Sequence, residues 1–261
     1  MSERITRFTP KQRVEHVLVM SVFLLLAITG FPQKFFESGW AVSVVNFLGG
    51  LDRVRFVHRV CGLVFSFLTV VHLASAVSAV LLGRQRLTLV PSRKDFRDAI
   101  QQLRYYFGLE ERGAEFDRFD YRQKFEYWGL IFGGVVMIAT GFVLYFPLLV
   151  TRFLPGELIP VAQVAHSNEG LMAFLVVIVW HIYNAHLSPE VFPFDTTIFT
   201  GQISRHRMEH EHPLELARLI AEGKALPAAP KPDVKEPAGG DGPAAPAPAA
   251  PAPSGSPAGD V

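Results

Sequence analysis

Four stretches without any Asp, Glu, Lys or Arg limit what this chain can fold into. They cover residues 16–33, 60–83, 127–151 and 170–189 and are 18, 24, 25 and 20 residues long. Each is long enough to cross about 30 Å of hydrocarbon as a helix, whereas an open sheet would leave backbone polar groups unsatisfied there. The sequence therefore predicts an all-α integral membrane four-helix bundle, with spans at about residues 11–32, 54–83, 125–150 and 160–187.

The composition changes sharply near the end of the chain. Residues 227–261 contain ten Pro, ten Ala, five Gly and no aromatic side chain, a composition that cannot form a packed core. We predict a disordered, Pro/Ala-rich cytoplasmic tail there and a membrane domain over residues 1–226. The whole chain has 25 Lys and Arg against 24 Asp and Glu, so it lacks the basic excess of a nucleic-acid-binding protein.

Lys and Arg are concentrated on one side of the predicted spans. The first 15 residues carry four and the loop 84–126 carries ten, whereas the two opposite loops carry four and one. Because basic loops stay in the cytoplasm, both termini are predicted to be cytoplasmic. The long loop also predicts an amphipathic helix at about residues 93–107, opened by a capping box from Ser92 to Asp95. A second short surface helix is predicted over residues 205–225.

Histidines are the second unusual feature of the spans. Of nine His, six lie in or at them: His16, His58, His72, His166, His181 and His186. Ionisable side chains are costly in hydrocarbon and are usually functional there. Counted from the predicted helix starts, His58 and His166 form an outer layer, while His16, His72 and His181 form an inner layer. Imidazoles arranged in this way suit axial ligation of iron porphyrins, so we predict two stacked haems.

Other residues narrow the type of cofactor. Gly62 and Gly170 each follow an outer His by four residues, which leaves room for a flat macrocycle against the helix. Cys61 is the only cysteine, which excludes iron–sulfur clusters and covalent haem attachment. The charge-free stretches also lack acidic and clustered Met ligands, and a single Cys does not make a zinc or copper path. The haems are therefore predicted to be b-type.

Four arginines are candidates for binding haem propionates. Three of them, Arg53, Arg55 and Arg59, lie beside His58 in a predicted outer loop. Basic residues are otherwise concentrated in cytoplasmic loops, so this position is unusual. Propionates are anionic and point to the membrane surface, where guanidinium groups bind them well. Arg13 has the same relation to the inner layer. The alternative for each of these residues is ordinary anchoring at the interface.

Several short sequence motifs follow one another along the four predicted spans. They are Arg13-x-x-His16 with Thr29-Gly30, His58-Arg59-x-x-Gly62, Tyr121-Arg122-Gln123-Lys124, and His166-x3-Gly170 with His181-Ile182-Tyr183. With these motifs, the chain resembles the bacterial di-haem cytochrome b family over most of its length before the tail. That family includes the gamma subunits of respiratory formate dehydrogenases and the cytochrome b subunits of nickel-iron hydrogenases.

The resemblance implies a specific set of haem ligands. It pairs His58 with His166 at the outer haem and His16 with His181 at the inner haem. His72 has no counterpart in the formate dehydrogenase type. It either replaces His16 as the partner of His181, or lies by a propionate or the quinone, or contributes with His186 to a third haem.

The resemblance also implies a substrate and partners. Quinone, either menaquinone or ubiquinone, is expected near the inner haem, against the segment that precedes the third span. The residues expected to bind it are Asp120, Tyr121, Gln123 and Lys124. On the outer side we expect an iron–sulfur or multihaem electron-transfer subunit and a catalytic subunit. The location implied is the bacterial inner membrane.

The predicted function is electron transfer across the membrane through two b haems, between an outer redox partner and the quinone pool on the cytoplasmic side. Three alternatives are considered. The same path run in reverse would oxidise quinol and feed a periplasmic multihaem acceptor. A non-redox membrane anchor would explain the amphipathic helix but not the buried His layers. A transporter would need broken helices or acids near the membrane midplane, which the sequence does not indicate.

Overall fold

The computed structural model describes residues 3–83, 87–189 and 191–226. The chain divides into two units, Met1–Ala225 and Leu226–Val261. All the elements described below belong to the first unit. The predicted disordered tail, from residue 227 onward, lies outside the described residues.

Four helices are long and apolar enough to cross a membrane, as the charge-free stretches predict. They are α1 (Pro10–Lys34), α3 (Leu51–Leu81), α5 (Tyr121–Tyr145) and α7, which begins at Leu158 and continues as π-helical turns to Leu187. In each helix at most 11% of the most apolar stretch is buried inside the protein. Surfaces this apolar are stable against hydrocarbon rather than water. The protein is therefore a multi-pass, all-α membrane protein.

The four spans pack as two hairpins. α1 packs against α3 and α5 packs against α7, and the contacts α1–α7 and α3–α5 close the bundle. The short helices α2 (Gly39–Phe47) and α6 (Pro147–Val150) lie within the connections that join the two helices of each hairpin. α1 and α5 both start at capping boxes, in which Thr9 and Asp120 are each joined to a Gln three residues later. Such boxes satisfy the backbone donors that begin a helix.

The loop between the hairpins contains α4 (Arg93–Tyr106), at the position that the sequence predicts. Ser92 and Asp95 form the predicted capping box. α4 is joined to α5 by Lys124, whose Nζ lies 2.7 Å from Asp95 Oδ1. Phe96 and Ile100 stay 71% and 61% exposed on its apolar face. The position of that face at a membrane surface stays a prediction.

The two ends of the first unit meet in a small domain that we call the terminal cap. Strand β1 (Arg4–Thr6) pairs antiparallel with β2 (Gln202–Ser204), and the helices α8 (Thr197–Thr200), α9 (Arg205–Glu211) and α10 (Pro213–Ala221) accompany them. Its core consists of Ile5, Ile203, Met208 and Leu216. The single helix predicted over residues 205–225 is wrong, because Pro213 cannot donate the bond that a helix interior requires and instead begins α10. We call the side of the bundle with this cap the terminal side and the opposite side the far side.

Candidate haem sites

His58 on α3 and His166 on α7 face each other on the far side of the bundle. Their ring centroids are 6.3 Å apart. Two imidazoles that bind one metal ion through nitrogen, at about 2 Å each, hold their centroids about 6 Å apart. The separation in this pair therefore fits one iron atom with two axial imidazoles.

Each far-side imidazole is oriented by a threonine from the other helix of its hairpin. Thr29 Oγ1 lies 3.0 Å from His58 Nδ1, and Thr140 Oγ1 lies 3.0 Å from His166 Nδ1. Both hydroxyls also donate to the carbonyl one turn earlier, at 2.6 Å. Each hydroxyl oxygen is therefore an acceptor for the imidazole Nδ1–H. This tautomer leaves Nε2 available for a metal.

Glycine follows each of these threonines and allows the imidazole to come close. A Cβ on Gly30 would lie 3.1 Å from His58 Cε1, and a Cβ on Gly141 would lie 3.3 Å from His166 Cε1. Both distances are tighter than ordinary side-chain contacts, so a larger residue would move the ring. The glycine of each Thr-Gly pair thus determines the position of the neighbouring imidazole.

The two glycines predicted to make room for a macrocycle differ in their surroundings. A Cβ on Gly62 would meet nothing within 4 Å, whereas a Cβ on Gly170 would lie 3.4 Å from the methyl carbon of Met137. Open space therefore adjoins Gly62 on α3. Gly170 lies in ordinary van der Waals contact with α5.

The second pair, His16 on α1 and His181 on α7, lies nearer the terminal side. The ring centroids are 6.2 Å apart, which again fits two imidazoles on one metal. His16 Nδ1 is buried and has no hydrogen-bond partner among the described residues. Buried polar atoms normally have partners, so a buried, unpaired imidazole nitrogen in a ring at this separation fits a metal-binding role for His16.

The π-helical turns of α7 help to align its two histidines, His166 and His181. His166 and His181 are 15 residues apart, which in a straight α-helix leaves their side chains about 60° apart. α7 changes from α to π geometry at Val176, and a π turn absorbs one extra residue. The effective spacing of 14 residues reduces the angle to about 40°.

A carboxylate lies beside His181 on α7. His181 Nδ1 lies 2.7 Å from Glu126 Oε1. That oxygen is buried and has no hydrogen-bond partner among the described residues, so the imidazole is a polar group placed beside an otherwise unpaired carboxylate oxygen. A carboxylate behind a metal-bound imidazole fixes the ring and increases its basicity. The two layers therefore differ, since threonine hydroxyls contact the far-side imidazoles.

These arrangements fit porphyrin iron better than a bare metal ion. Within residues 3–83, 87–189 and 191–226, no group of three or more His, Cys, Asp or Glu is placed to hold a metal. A haem iron needs just two axial ligands from the protein, because the macrocycle supplies the others. Each imidazole pair provides two.

His72 and His186 have other partners in the structure. His72 Nε2 lies 3.0 Å from the hydroxyl oxygen of Tyr127, and its Nδ1 lies 3.6 Å from Glu15 Oε2. His186 stacks on Phe194 with ring centroids 4.2 Å apart. The residue beside His181 is His16, the partner that the family resemblance implies.

The candidate propionate residues lie near both layers. Arg55 and Arg59 line a cavity of about 330 Å³ next to Tyr145, and the Arg59 guanidinium lies 5.4 Å from the centre of that ring. Arg53 instead packs against Gly49. On the terminal side, Arg13 Nε is buried and has no hydrogen-bond partner within the described part of the chain. A guanidinium with a buried, unpaired nitrogen suits an anionic group such as a propionate.

The residues expected to bind quinone come together at the start of α5. Asp120 accepts hydrogen bonds from the Gln123 backbone at 2.8 Å and from Arg122 at 2.7 Å. Lys124 forms the 2.7 Å bridge to Asp95, and Tyr121 contacts the ring of Phe116. Asp120 and Lys124 thus also have structural partners.

Four residues without a predicted role contact histidines of the two layers: Thr140, Gly141, Glu126 and Tyr127. A signal for them exists in the sequence. Thr-Gly-Phe occurs at 29–31 and again at 140–142, and Glu15-His16 is matched by Glu126-Tyr127 at the same interval. A search for internal repeats reveals these residues.

Four apolar helices that hold two pairs of facing imidazoles at two depths define a membrane cytochrome of the b type. The chain matches the family model of the prokaryotic cytochrome b561 proteins over residues 7–191. It belongs to that family, and membership implies b-type haem.

Its relatives include membrane subunits of respiratory enzymes. The cytochrome b556(fdo) subunit of formate dehydrogenase from Escherichia coli strain K12 is 24% identical over 186 residues, covering 70% of this chain and 79% of the relative. The cytochrome b556 subunit of formate dehydrogenase from Haemophilus influenzae is 25% identical over 182 residues, covering 70% and 71%. The chain is thus a membrane cytochrome b of respiratory electron transfer, which argues against the non-redox anchor.

Proposed function

We propose that this chain carries electrons across the membrane with two b haems, between a redox partner on the far side and quinone on the terminal side. The observation that carries the proposal is the pair of imidazole separations, 6.3 and 6.2 Å, in two layers of one bundle. A bound b haem supplies one-electron transfer between ferric and ferrous iron.

The residues of the chain have distinct roles in this proposal. His58 and His166 bind the far-side haem, and His16 and His181 bind the terminal-side haem. The threonine and carboxylate partners of these ligands fix their tautomers and orientations. Arg55, Arg59 and Arg13 neutralise propionates at the two surfaces.

The orientation and partners follow from charge and from the relatives. Ten Lys and Arg lie between residues 84 and 126, which supports a cytoplasmic terminal side in the bacterial inner membrane. Two relatives are named as cytochrome subunits of formate dehydrogenase. We propose that this chain likewise joins an electron-transfer subunit, iron–sulfur or multihaem, and a catalytic subunit on the far side.

The haem ligands are tested by counting haem in the purified protein. We expect two haems per chain with low-spin, bis-imidazole spectra. His58→Ala removes the far-side haem and leaves the terminal-side haem, because the two pairs share no ligand. His206→Ala, an exposed position on α9, is the control and keeps both. Fewer than two haems in the unaltered chain contradicts the proposal.

Quinone exchange is proposed at Asp120, Tyr121, Gln123 and Lys124. Quinone reduction consumes two protons as well as two electrons, and polar groups at the water-facing start of a span offer hydrogen bonds and access to protons. We expect Lys124→Gln to slow the oxidation of reduced haem by added quinone at least tenfold while both haems remain.

The control for this variant is Asp95→Asn. It breaks the same bridge between α4 and α5 but leaves the lysine in place, so quinone kinetics should stay near those of the unaltered chain. Equal slowing in both variants would mean that the bridge, rather than a quinone contact, matters.

A further inference from the structure

The two hairpins of the bundle have similar sequences, so the chain contains an internal repeat. Residues 7–16 read Arg-Phe-Thr-Pro-Lys-Gln-Arg-Val-Glu-His, and residues 118–127 read Arg-Phe-Asp-Tyr-Arg-Gln-Lys-Phe-Glu-Tyr. The Thr-Gly-Phe triplets keep this interval of 111 residues. In the second helices, His58 and Gly62 correspond to His166 and Gly170. One extra residue in the π turns then brings His72 into correspondence with His181.

The contacts repeat with the sequence. Arg7 Nη2 donates to the carbonyl oxygen of Arg118 at 2.6 Å, and Arg118 Nη2 donates to the carbonyl oxygen of Arg7 at 2.6 Å. In an isologous contact, residue i meets j as j meets i, which is the mark of a twofold axis. The two Thr–His bonds of the far-side layer, both 3.0 Å, lie one within each hairpin and are equivalent to each other. The hairpins are therefore related by a pseudo-twofold axis.

This axis maps the terminal-side haem pair onto a second pair. His16 on α1 corresponds to Tyr127 on α5, and His181 on α7 corresponds to His72 on α3. The ring separation is 6.2 Å in the first pair and 6.0 Å in the second. Their supports also correspond, since Glu126 approaches His181 and Glu15 approaches His72.

One residue distinguishes the two positions. Tyr127 stands where the symmetry requires an imidazole, and its hydroxyl lies 3.0 Å from His72 Nε2. That direct hydrogen bond uses the nitrogen that would bind iron and fills the space between the rings. We infer that the terminal-side layer contains two symmetry-related haem positions and that Tyr127 closes the second. His72 is then the ligand of a closed site. The inference rests on the proposed ligation by His16 and His181.

Exchanging the two residues tests the inference by haem count and spectrum. His16→Tyr is expected to lower the count from two haems per chain to one. The double variant His16→Tyr/Tyr127→His is expected to restore two, with a bis-imidazole spectrum, because the haem now binds across the axis. Adding His72→Ala to the double variant should return the count to one.

A second design does not depend on how a new histidine packs. In His16→Tyr/Tyr127→Gly, free imidazole added in solution supplies the missing ligand, and we expect a second haem in proportion to the imidazole present. The unchanged far-side spectrum shows that the bundle is folded. A count that stays at one in both designs overturns the inference and leaves the proposed function intact. Two haems in His16→Tyr alone would overturn the ligand assignment, and the inference with it.

Discussion

At the scale of single residues, the two proposed haem layers differ in the groups that lie beside their proposed ligands. Glu126 lies 2.7 Å from His181 Nδ1, whereas hydroxyls support His58 and His166. A carboxylate makes the imidazole a stronger donor and so stabilises ferric iron. Glu126→Gln should therefore raise the midpoint potential of the terminal-side haem and leave the far-side haem unchanged. An optical redox titration of the two haem bands measures this.

The symmetry of the bundle provides a matched control for that variant. Glu15 occupies the same position in the first hairpin but lies beside His72, which is paired with Tyr127. Glu15→Gln removes an equal charge at the same depth without changing the carboxylate beside His181. It should leave both midpoints in place. Equal shifts in the two variants would indicate a general field effect and count against a specific role for Glu126.

At the scale of elements, the junction between α9 and α10 is sensitive to acid. His212 lies there, 5% exposed, with Nδ1 2.7 Å from the carbonyl oxygen of Asp117. Burial, followed by the charge of Arg7, lowers the pKa of His212 from 6.5 to about 3. Between these values the unfolded chain binds a proton that the folded cap excludes. The stability of the terminal cap is thus complete above about pH 6.5 and falls with acidification, by at most about 1.4 kcal/mol per pH unit.

Hydrogen exchange of the backbone amides measures this loss. In the protein reconstituted in lipid, amides of α9 and α10 should lose protection between about pH 7 and about pH 5, after correction for intrinsic exchange rates. His212→Gln removes the titrating group and should flatten the dependence. His206→Gln, on the exposed side of α9, should retain it. A pH dependence that survives in His212→Gln would contradict this origin.

At the scale of the whole molecule, the sequence predicts the membrane spans better than it predicts the contacts between them. The spans and the candidate His positions are predictable because charge-free length and depth along a helix are local properties. The contact of Glu126 with His181 depends on how α5 packs against α7. No local sequence pattern predicts that packing. The π turns of α7 likewise change the direction in which the His181 side chain points. No residue type in the sequence indicates those π turns. The repeat of residues 7–16 at 118–127 can be recognised in the sequence. The pairing of His72 with Tyr127, however, can be seen only in the folded structure.

The pseudo-twofold axis meets the terminal cap at Glu215. This residue is 1% exposed and accepts hydrogen bonds from Arg7 at 2.6 Å and from Arg118 at 2.9 Å. Burial, the largest influence, lowers the pKa of Arg7, and the Glu215 carboxylate opposes that shift. One carboxylate thus compensates the leading arginine of both hairpins and ties them to α10.

Removing that charge should weaken the whole assembly. Glu215→Gln removes the ion-pair partner that the buried Arg7 shares with the 24% exposed Arg118. Breaking a buried pair in this way costs about 3–5 kcal/mol. The comparison is Asp117→Asn, which breaks the ion pair with Arg218 at a side chain that is 44% exposed. Exposed pairs contribute at most about 1 kcal/mol. Thermal unfolding in detergent should therefore show a much larger fall in Tm for Glu215→Gln than for Asp117→Asn. Similar small falls would mean that the hairpins are held together by span packing alone, without a contribution from the charge on the axis.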